Sequence, residues 1–395
     1  MHSWHYFLGI FQIVVLSYFG GNALYLLFFA VCGCMKTPSK QNPFNRFRNI
    51  TVIITAFKED EIIHSVIKSA LQQDYPGEMV QLLLVADSFE EKTLERLGSF
   101  PLKLIIADFK ESTKVRSLNL AMDYLPANTE IVVVLDADNL MEMDFLRKLN
   151  LGLESGAKVI QCHRTAKNVN TPFALLDAIS EEVNNNIFRN GHIAAGLSSA
   201  LIGSAMAFDA GVFKKYIPKL KAVGGFDKEL ELKLLSDGIY IDYLPDAYVL
   251  DEKVQSSKVF YSQRKRWMRS QLYYFGRDFF PSFWALLNKG NISYFDKTIQ
   301  FSLLPRVLLL GMLGIINIIN IFIYNPVFNW IGFAAFAACG ISILISTPGQ
   351  YFRKDTVKAL LYLPVAFFLM FSIIFRMRKA NKRFIHTEHH IQSYL

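Results

Sequence analysis

The chain is short of cysteine, histidine and charge, and each shortage removes a class of function. Its four cysteines, Cys32, Cys34, Cys162 and Cys339, have no histidine cluster beside them. A zinc site therefore has little support, a disulfide framework is not expected, and the thiols suit a reducing compartment or a membrane. Charged residues make up 19% of the chain, against 52% hydrophobic and 14% aromatic. That is more apolar residue than one soluble core uses, and it predicts soluble-sized domains together with membrane segments. The charge that is present leans basic, at +8, and clusters beside the apolar runs. Cytoplasmic-side flanks of a membrane protein explain it, and no nucleic-acid partner is expected.

No charged residue occurs from Tyr6 to Met35, a run longer than a bilayer crossing needs. Met1 to His5 carries no Lys or Arg and the run exceeds a signal-peptide core, so a permanent anchor is expected. Lys36, Lys40, Arg46 and Arg48 follow it, which places the body of the chain on the cytoplasmic side. Three more apolar runs span about Phe301 to Tyr324, Val327 to Thr347 and Val357 to Phe375. Arg306 is expected to reach the headgroups, and Pro364 to kink the last run. Tyr273 to Leu287 is aromatic-rich and reads as interfacial. If all three runs cross, the basic tail Arg376 to Arg383 ends outside, against the positive-inside rule. One run is therefore expected to be interfacial or re-entrant, although the basic loop Arg353 to Lys358 pulls the other way. The expected division is an anchor and linker at 1–48, a soluble domain at 49–274 and a membrane region at 275–395, in a multi-pass protein of the cell membrane.

Between the anchors, strand and helix patterns alternate. Thr51 to Ala56, Gln81 to Ala86, Leu102 to Ala107 and Ile131 to Leu135 read as strands, with helices at Asp60 to Gln73 and Ser117 to Tyr124. Such alternation implies a mostly parallel sheet with helices on both faces, and ligands beyond the carboxyl ends of the strands. Those ends carry Thr55 to Glu59, Asp87, and the pair Asp136 and Asp138 of EIVVVLDADN. Two carboxylates at i and i+2 can share a hard cation such as Mg²⁺ or Mn²⁺ and the diphosphate it bridges, though an acidic turn ending a strand would look the same.

Further along, Ala157 to Gln161 reads as a strand followed by a polar segment, Cys162 to Thr171, and Ser180 to Arg189 as a helix. The small-residue stretch Gly191 to Phe208 fits either the floor of an acceptor site or a tight core turn. Lys114 and Arg116 open a helix, where either could meet a phosphate or simply face solvent. Asp227 lies at the start of the helix in GGFDKELELKLL, where an N-cap role would account for it. Tyr240 to Val249 reads as a last strand and turn. In QRKRWMRSQ, four basic residues surround Trp267, which suits a helix on a membrane surface.

The ordered set TAFKED, Asp87, KVRSLN, DAD and QRKRW resembles the membrane-bound family-2 glycosyltransferases, the cellulose, hyaluronan and chitin synthase-like enzymes with a Q-x-x-R-W signature. The resemblance covers roughly Asn49 to Tyr274. It implies an α/β GT-A domain, Rossmann-like with a mostly parallel mixed sheet, inserted between the amino-terminal transmembrane helix and the carboxyl-terminal helical membrane region. It further implies an inverting transfer from a nucleotide sugar, a UDP-sugar by expectation, with Mg²⁺ or Mn²⁺, to a polysaccharide or lipid-linked acceptor. By the same resemblance Thr55, Ala56, Glu59 and Asp87 bind the base and ribose, and Lys114 and Arg116 lie near the nucleotide. Asp136 helps to hold it and, with Asp138, takes the metal. Glu229 is implied as the general base, with Asp227 as the fallback, because Asp227, Lys228 and Glu229 stand where the family has a Thr-Glu-Asp-like triplet. Gln263, Arg264, Arg266 and Trp267 complete the donor site, Arg264 and Arg266 facing the departing diphosphate and Trp267 stacked on the acceptor sugar. Phe57 and Lys58 depart from the family's aromatic, Asn, Glu pattern before Glu59. Two rivals stand beside this reading: transfer of one sugar to a lipid, as in ceramide glucosyltransferase-like proteins, and a non-catalytic membrane scaffold that binds nucleotide.

Overall fold

The computed structural model describes residues 2–35, 46–221, 225–323 and 325–376. Most of the linker Asn42 to Arg48, Gly224 of the GGF turn and the basic tail after Arg376 lie outside these residues.

Eight strands form one mixed sheet: β1 (Ile50–Phe57), β2 (Val80–Asp87), β3 (Lys103–Ala107), β4 (Ile131–Asp136), β5 (Leu140–Met141), β6 (Val159–Ala166), β7 (Met206–Asp209) and β8 (Asp242–Asp251). Their order is β3-β2-β1-β4-β7-β6-β8-β5. The first four pair in parallel. β7 then runs antiparallel to both β4 and β6, while β8 lies parallel to β6 with β5 antiparallel at the edge. The near-continuous apolar runs of β1, β2 and β4 follow from burial on both faces. Alternate residues of β1 divide between two cores: Val52 and Ile54 pack with Ile63, Val66 and Leu149, while Ile53 packs with Leu118, Phe213 and Leu230.

Three expectations change. The stretch taken as polar after Gln161 continues as strand to Ala166, because its buried polar side chains find charged partners within the fold. The end of the small-residue stretch is strand β7. The helix expected from Ser180 begins at Pro172, capped by Thr171, whose Oγ1 accepts from Ala174 N at 3.1 Å, and passes into a π-helix, Asn185–Asn190.

Among the described residues, four helices are long and apolar enough to cross a membrane: Gly9–Gly33, Arg306–Ile323, Pro326–Ser346 and Lys354–Arg376. The last is interrupted after Leu360 and resumes at Leu363, with Pro364 in its first turn, where the missing N–H costs no helical bond. Arg306 does not reach outward. It donates to Asn184 Oδ1 at 2.7 Å and to Ser180 O at 2.9 Å, joining the first carboxyl-terminal apolar helix to the helix Pro172–Asn184. The helix Ser257–Lys289 runs without a break from QRKRW into the aromatic stretch beyond it. Leu272, Phe280, Trp284 and Leu287 are exposed along that stretch.

The amino-terminal helix meets the π-helix at close range. Asn190 Nδ2 donates to Gly33 O at 2.7 Å, and a Cβ on Gly191 would lie 2.2 Å from the Phe29 carbonyl oxygen. Gly191→Ala is therefore expected to destabilise the junction by about 1–3 kcal/mol or more, because a backbone oxygen cannot move aside. Gly77→Ala, with open space around the added methyl, should leave the thermal unfolding midpoint in detergent nearly unchanged.

Candidate active site

Register brings the site together. Thr55 pairs with Asp136, and Phe57 with Asp87, so β1, β2 and β4 end at one level. Lys58 and Ser88, the residues after β1 and β2, both adopt left-handed backbone (φ 57° and 58°), as does Ala205 before β7 (φ 51°). Non-glycine residues held there cost on the order of 1–3 kcal/mol each, and such strain concentrates at functional edges. Asp87 is buried. Its Oδ1 accepts from Ser88 Oγ at 3.0 Å, whereas Oδ2 has no partner among the described residues. A buried acceptor left this way is open to a hydrogen bond from a ligand or a water molecule. Thr55 is half-buried, and Ala56 and Glu59 are buried beside it.

The helix Lys114–Met122 begins immediately beside this edge, capped by Thr113, which accepts from Arg116 N at 3.3 Å. Its first residue, Lys114, donates to Asp136 Oδ1 and, at 2.6 Å, to the carbonyl of Gly203. Arg116 turns away toward Glu111 and is about half exposed. Gly203 has φ 91°, and a Cβ there would sit 3.7 Å from the Cβ of Asp227. This part of the small-residue stretch is thus a wall of the site, against which the helix Phe226–Ser236 packs.

Asp138 is buried behind Asp136. Its Oδ1 accepts from Asn139 Nδ2 at 3.0 Å and its Oδ2 from Glu252 N at 3.3 Å. Asn139 also donates to Asp251 Oδ1 at 3.1 Å. Asp251 is met by Arg164 (3.5 Å) and Lys253 (2.8 Å), and Glu181 by Arg164 and Arg189, each at 3.3 Å. Burial, the largest single influence, pushes the Glu181 carboxyl up, but Arg164, Lys253 and Arg189 together bring it down to about 2. Burial likewise lowers Arg164, and Asp251, Glu181, Asp136 and Asp138 outweigh it, so the guanidinium stays charged. Sequence reading missed this layer. Arg164 and Asp251 carry no motif, and only the fold brings β6, β8 and the helix Pro172–Asn184 into contact.

The two base candidates separate. Asp227 does not cap its helix: Gly225, at φ 64°, precedes the first turn, and Asp227 lies within it. Arg266 is depressed chiefly by burial, with Asp227 and Asp136 both pulling it back up. Glu229 faces elsewhere. Its Oε2 accepts from Lys221 N at 3.1 Å, and Lys233 and Arg277 lie 3.8 and 3.6 Å from Oε1. Arg264 is also engaged away from Asp136, donating to Asp177 and stacking on Trp267 with its guanidinium 4.4 Å from the ring centroid. Gln263 Oε1 is buried without a hydrogen-bond partner among the described residues. The structure therefore brings together Asp136, Lys114 and, across Gly203, Asp227, with Arg266 under the influence of both acids, and leaves Arg116, Glu229 and Arg264 with other partners.

The oxygen-only chemistry of Asp136 and Asp138 suits Mg²⁺ or Mn²⁺, and the Lys114 ammonium on Asp136 marks a place where positive charge is stabilised. Among the described residues no group of three or more His, Cys, Asp or Glu converges on one point. An ion here would draw its remaining ligands from a bound diphosphate and water, the usual arrangement for Mg²⁺.

Residues 48–270 match the sequence model of the family described as glycosyltransferase like family 2. The chain belongs to this glycosyltransferase family. Among its relatives, the probable glycosyltransferase YdaM of Bacillus subtilis strain 168 is 24% identical over 254 residues, 60% of this chain and 58% of that protein. The match therefore spans less than two thirds of that relative. Among solved structures, the mannosyltransferase PcManGT from Pyrobaculum calidifontis, in complex with GDP-Man and Mn²⁺, superposes with a TM-score of 0.52 at 17% identity. It covers 84% of this chain and 97% of its own. S. aureus TarS 1–349 with UDP-GlcNAc is more distant, at 15% identity and a TM-score of 0.38, covering 55% and 64% of the two chains. The family-2 fold is thus GT-A-like: a mixed α/β sheet flanked by apolar helices at both ends of the chain.

The depressed Glu181 carboxyl makes a pH test. A group whose folded value lies below its ordinary 4.5 contributes stability in full above that value and loses it as pH falls toward about 2. Thermal unfolding is expected to weaken over this window in the unmodified protein, and the Glu181→Gln variant to lose that part of the acid dependence.

Proposed function

We propose that this family-2 glycosyltransferase is a membrane-embedded inverting enzyme, of the cellulose, hyaluronan and chitin synthase-like subtype, which moves a hexose or N-acetylhexosamine from a nucleotide sugar to a polysaccharide or glycolipid acceptor. The observation that carries the reading is the position of Asp136. It pairs with Lys114, whose ammonium also holds the Gly203 carbonyl beside Asp227. In this reading the division 1–48, 49–274 and 275–395 separates anchor, catalytic domain and membrane region, with the catalytic domain on the cytoplasmic side.

Asp87, through its unpartnered Oδ2, would accept from a hydroxyl or N–H of the nucleoside, with Thr55, Ala56 and Glu59 shaping the base pocket. Asp136 and Asp138 would hold Mg²⁺ or Mn²⁺, which supplies charge against the leaving diphosphate. Lys114 and Arg266 would add fixed positive charge in a site where water is scarce and such charge acts strongly. Arg266 is suited to the departing phosphates by its planar fork of donors. Asp227 would take the proton from the acceptor hydroxyl as it attacks the anomeric carbon, and Trp267 would meet the acceptor sugar. Glu229, held by Lys221 N, Lys233 and Arg277, fits a structural role better than the base role its sequence position implies.

Transfer of one sugar to a lipid is the second reading, favoured by the four apolar helices among the described residues, few to enclose a polymer. The length of the product separates the two.

Nucleotide release from a panel of UDP- and GDP-sugars by the purified protein in lipid tests the proposal. Release from one donor should require Mg²⁺ or Mn²⁺ and fall by about 10²-fold or more in Asp138→Asn and in Asp227→Asn. Glu229→Gln should keep more of kcat than Asp227→Asn. Tight binding without release from any donor, with lipid extract and oligosaccharide supplied, would favour the non-catalytic scaffold.

A further inference from the structure

The helix that carries Asp227 is held from the membrane side by a buried ion pair. Asp227 and Glu231 stand four residues apart, one above the other on one face of the helix Phe226–Ser236. Lys297 Nζ lies 2.6 Å from Glu231 Oε1, with each side chain only 3% exposed. Lys297 belongs to the helix Ile292–Gln300, between the QRKRW helix and the first carboxyl-terminal apolar helix. Its ammonium donates to Gln300 Oε1 at 2.6 Å, and Gln300 Nε2 donates to Asp296 Oδ2 at 2.8 Å. Tyr25, on the amino-terminal apolar helix, donates to the other oxygen of Asp296 at 2.7 Å. A continuous polar chain thus runs from the amino-terminal apolar helix to the turn behind Asp227.

Three further sets of contacts hold this helix: Glu229 meets Lys221 N and Arg277 at its first turn, Leu230 and Leu234 pack on the sheet, and Leu232 and Leu235 face the other way. Leu232 and Leu235 pack on Tyr274, Tyr294 and Phe301, an apolar contact that tolerates small slides. Asn291 Nδ2 donates to Leu235 O at 2.8 Å and fixes the far end. A buried ammonium–carboxylate pair adds little stability over an apolar pair, but it demands one geometry. Turning a helix of about 10–12 Å diameter by roughly 10° carries a side-chain carboxyl about 1 Å. A misplacement of that size can cost about 10²-fold in rate.

We propose that Lys297 is a positioning residue for sugar transfer: paired with Glu231, it sets the rotation of the helix that presents Asp227 to the acceptor. The proposal rests on Asp227 as the general base. The pair makes no contact with the donor edge at Asp87 and Asp136, so donor binding should be spared.

The test uses the full chain in lipid nanodiscs and whichever of UDP-glucose, UDP-N-acetylglucosamine or GDP-mannose the unmodified protein turns over. In Lys297→Met, kcat should fall about tenfold or more while donor KM stays within about twofold, and Lys297→Arg should recover part of the loss. Should Lys297→Met fail to fold, the neutral pair Glu231→Gln with Lys297→Met decides, since it leaves no buried charge unpaired; it should fold and keep the low kcat. A folded variant of either kind with unchanged kcat, or one whose kcat loss comes with an equal loss of donor binding, overturns the proposal. Asp227→Asn run in parallel separates the two readings. If it remains active, the base assignment fails; if it is inactive while folded Lys297→Met is fully active, the positioning role alone fails.

Discussion

Negative charge crowded at one edge of a sheet is the constraint around which this protein is built. Asp87, Asp136, Asp138 and Asp251 lie at or near the ends of strands, and all but Asp136 are buried. Taking carboxylates out of water is costly unless cations and hydrogen bonds accompany them. The fold supplies both. Lys114 covers Asp136 from the front, Asn139 and the Glu252 N–H hold Asp138, and Arg164 and Lys253 stand behind with Asp251. Asp87 keeps an oxygen in reserve, and the left-handed backbone at Lys58 and Ser88 shows that the edge is held against its own preference.

The compensating charges come from distant parts of the chain, which ties the sheet to the apolar helices at both of its ends. Arg189 reaches Glu181 from the π-helix that packs on the amino-terminal anchor. Arg266 comes from the long helix that continues into the exposed aromatic stretch, and Lys297 from the helix after it. Helix Phe226–Ser236 sits between these two systems, one face on the sheet through Leu230 and Leu234 and the other on the membrane-side aromatics through Leu232 and Leu235. The placement of Asp227 is accordingly a property of the whole assembly.

Parts of this were legible in the residues alone. Strands β1, β2 and β4 announce themselves as unbroken apolar runs, because strands buried on both faces have no polar alternation to hide them. The apolar helices are equally plain, since nothing else explains thirty residues from Tyr6 without charge. The acids Asp87, Asp136 and Asp138 could be placed because an apolar run ends at each. Strand β6 was only half seen. Its second half reads HRTA, and a charged strand interior becomes intelligible only when Glu181, Glu182 and Asp251 are brought to it by distant segments.

The residues alone carry the family-2 resemblance, the alternation of the first four strands with helices, and the acids at the ends of β2 and β4. These depend on local periodicity and on motifs whose residues are near neighbours. Which partners the carboxylates of the Asp227, Lys228, Glu229 triplet meet is a matter of tertiary structure: Asp227 lies beside Gly203, and Glu229 meets Lys221 N and Arg277. On a helix, residues two apart point to opposite sides, and the side that lies beside Gly203 is set by packing on both layers at once. The same holds for Arg264 and Arg266, two residues apart in QRKRW: one is drawn to Asp177, while the other is buried and feels the charge of Asp227 and Asp136.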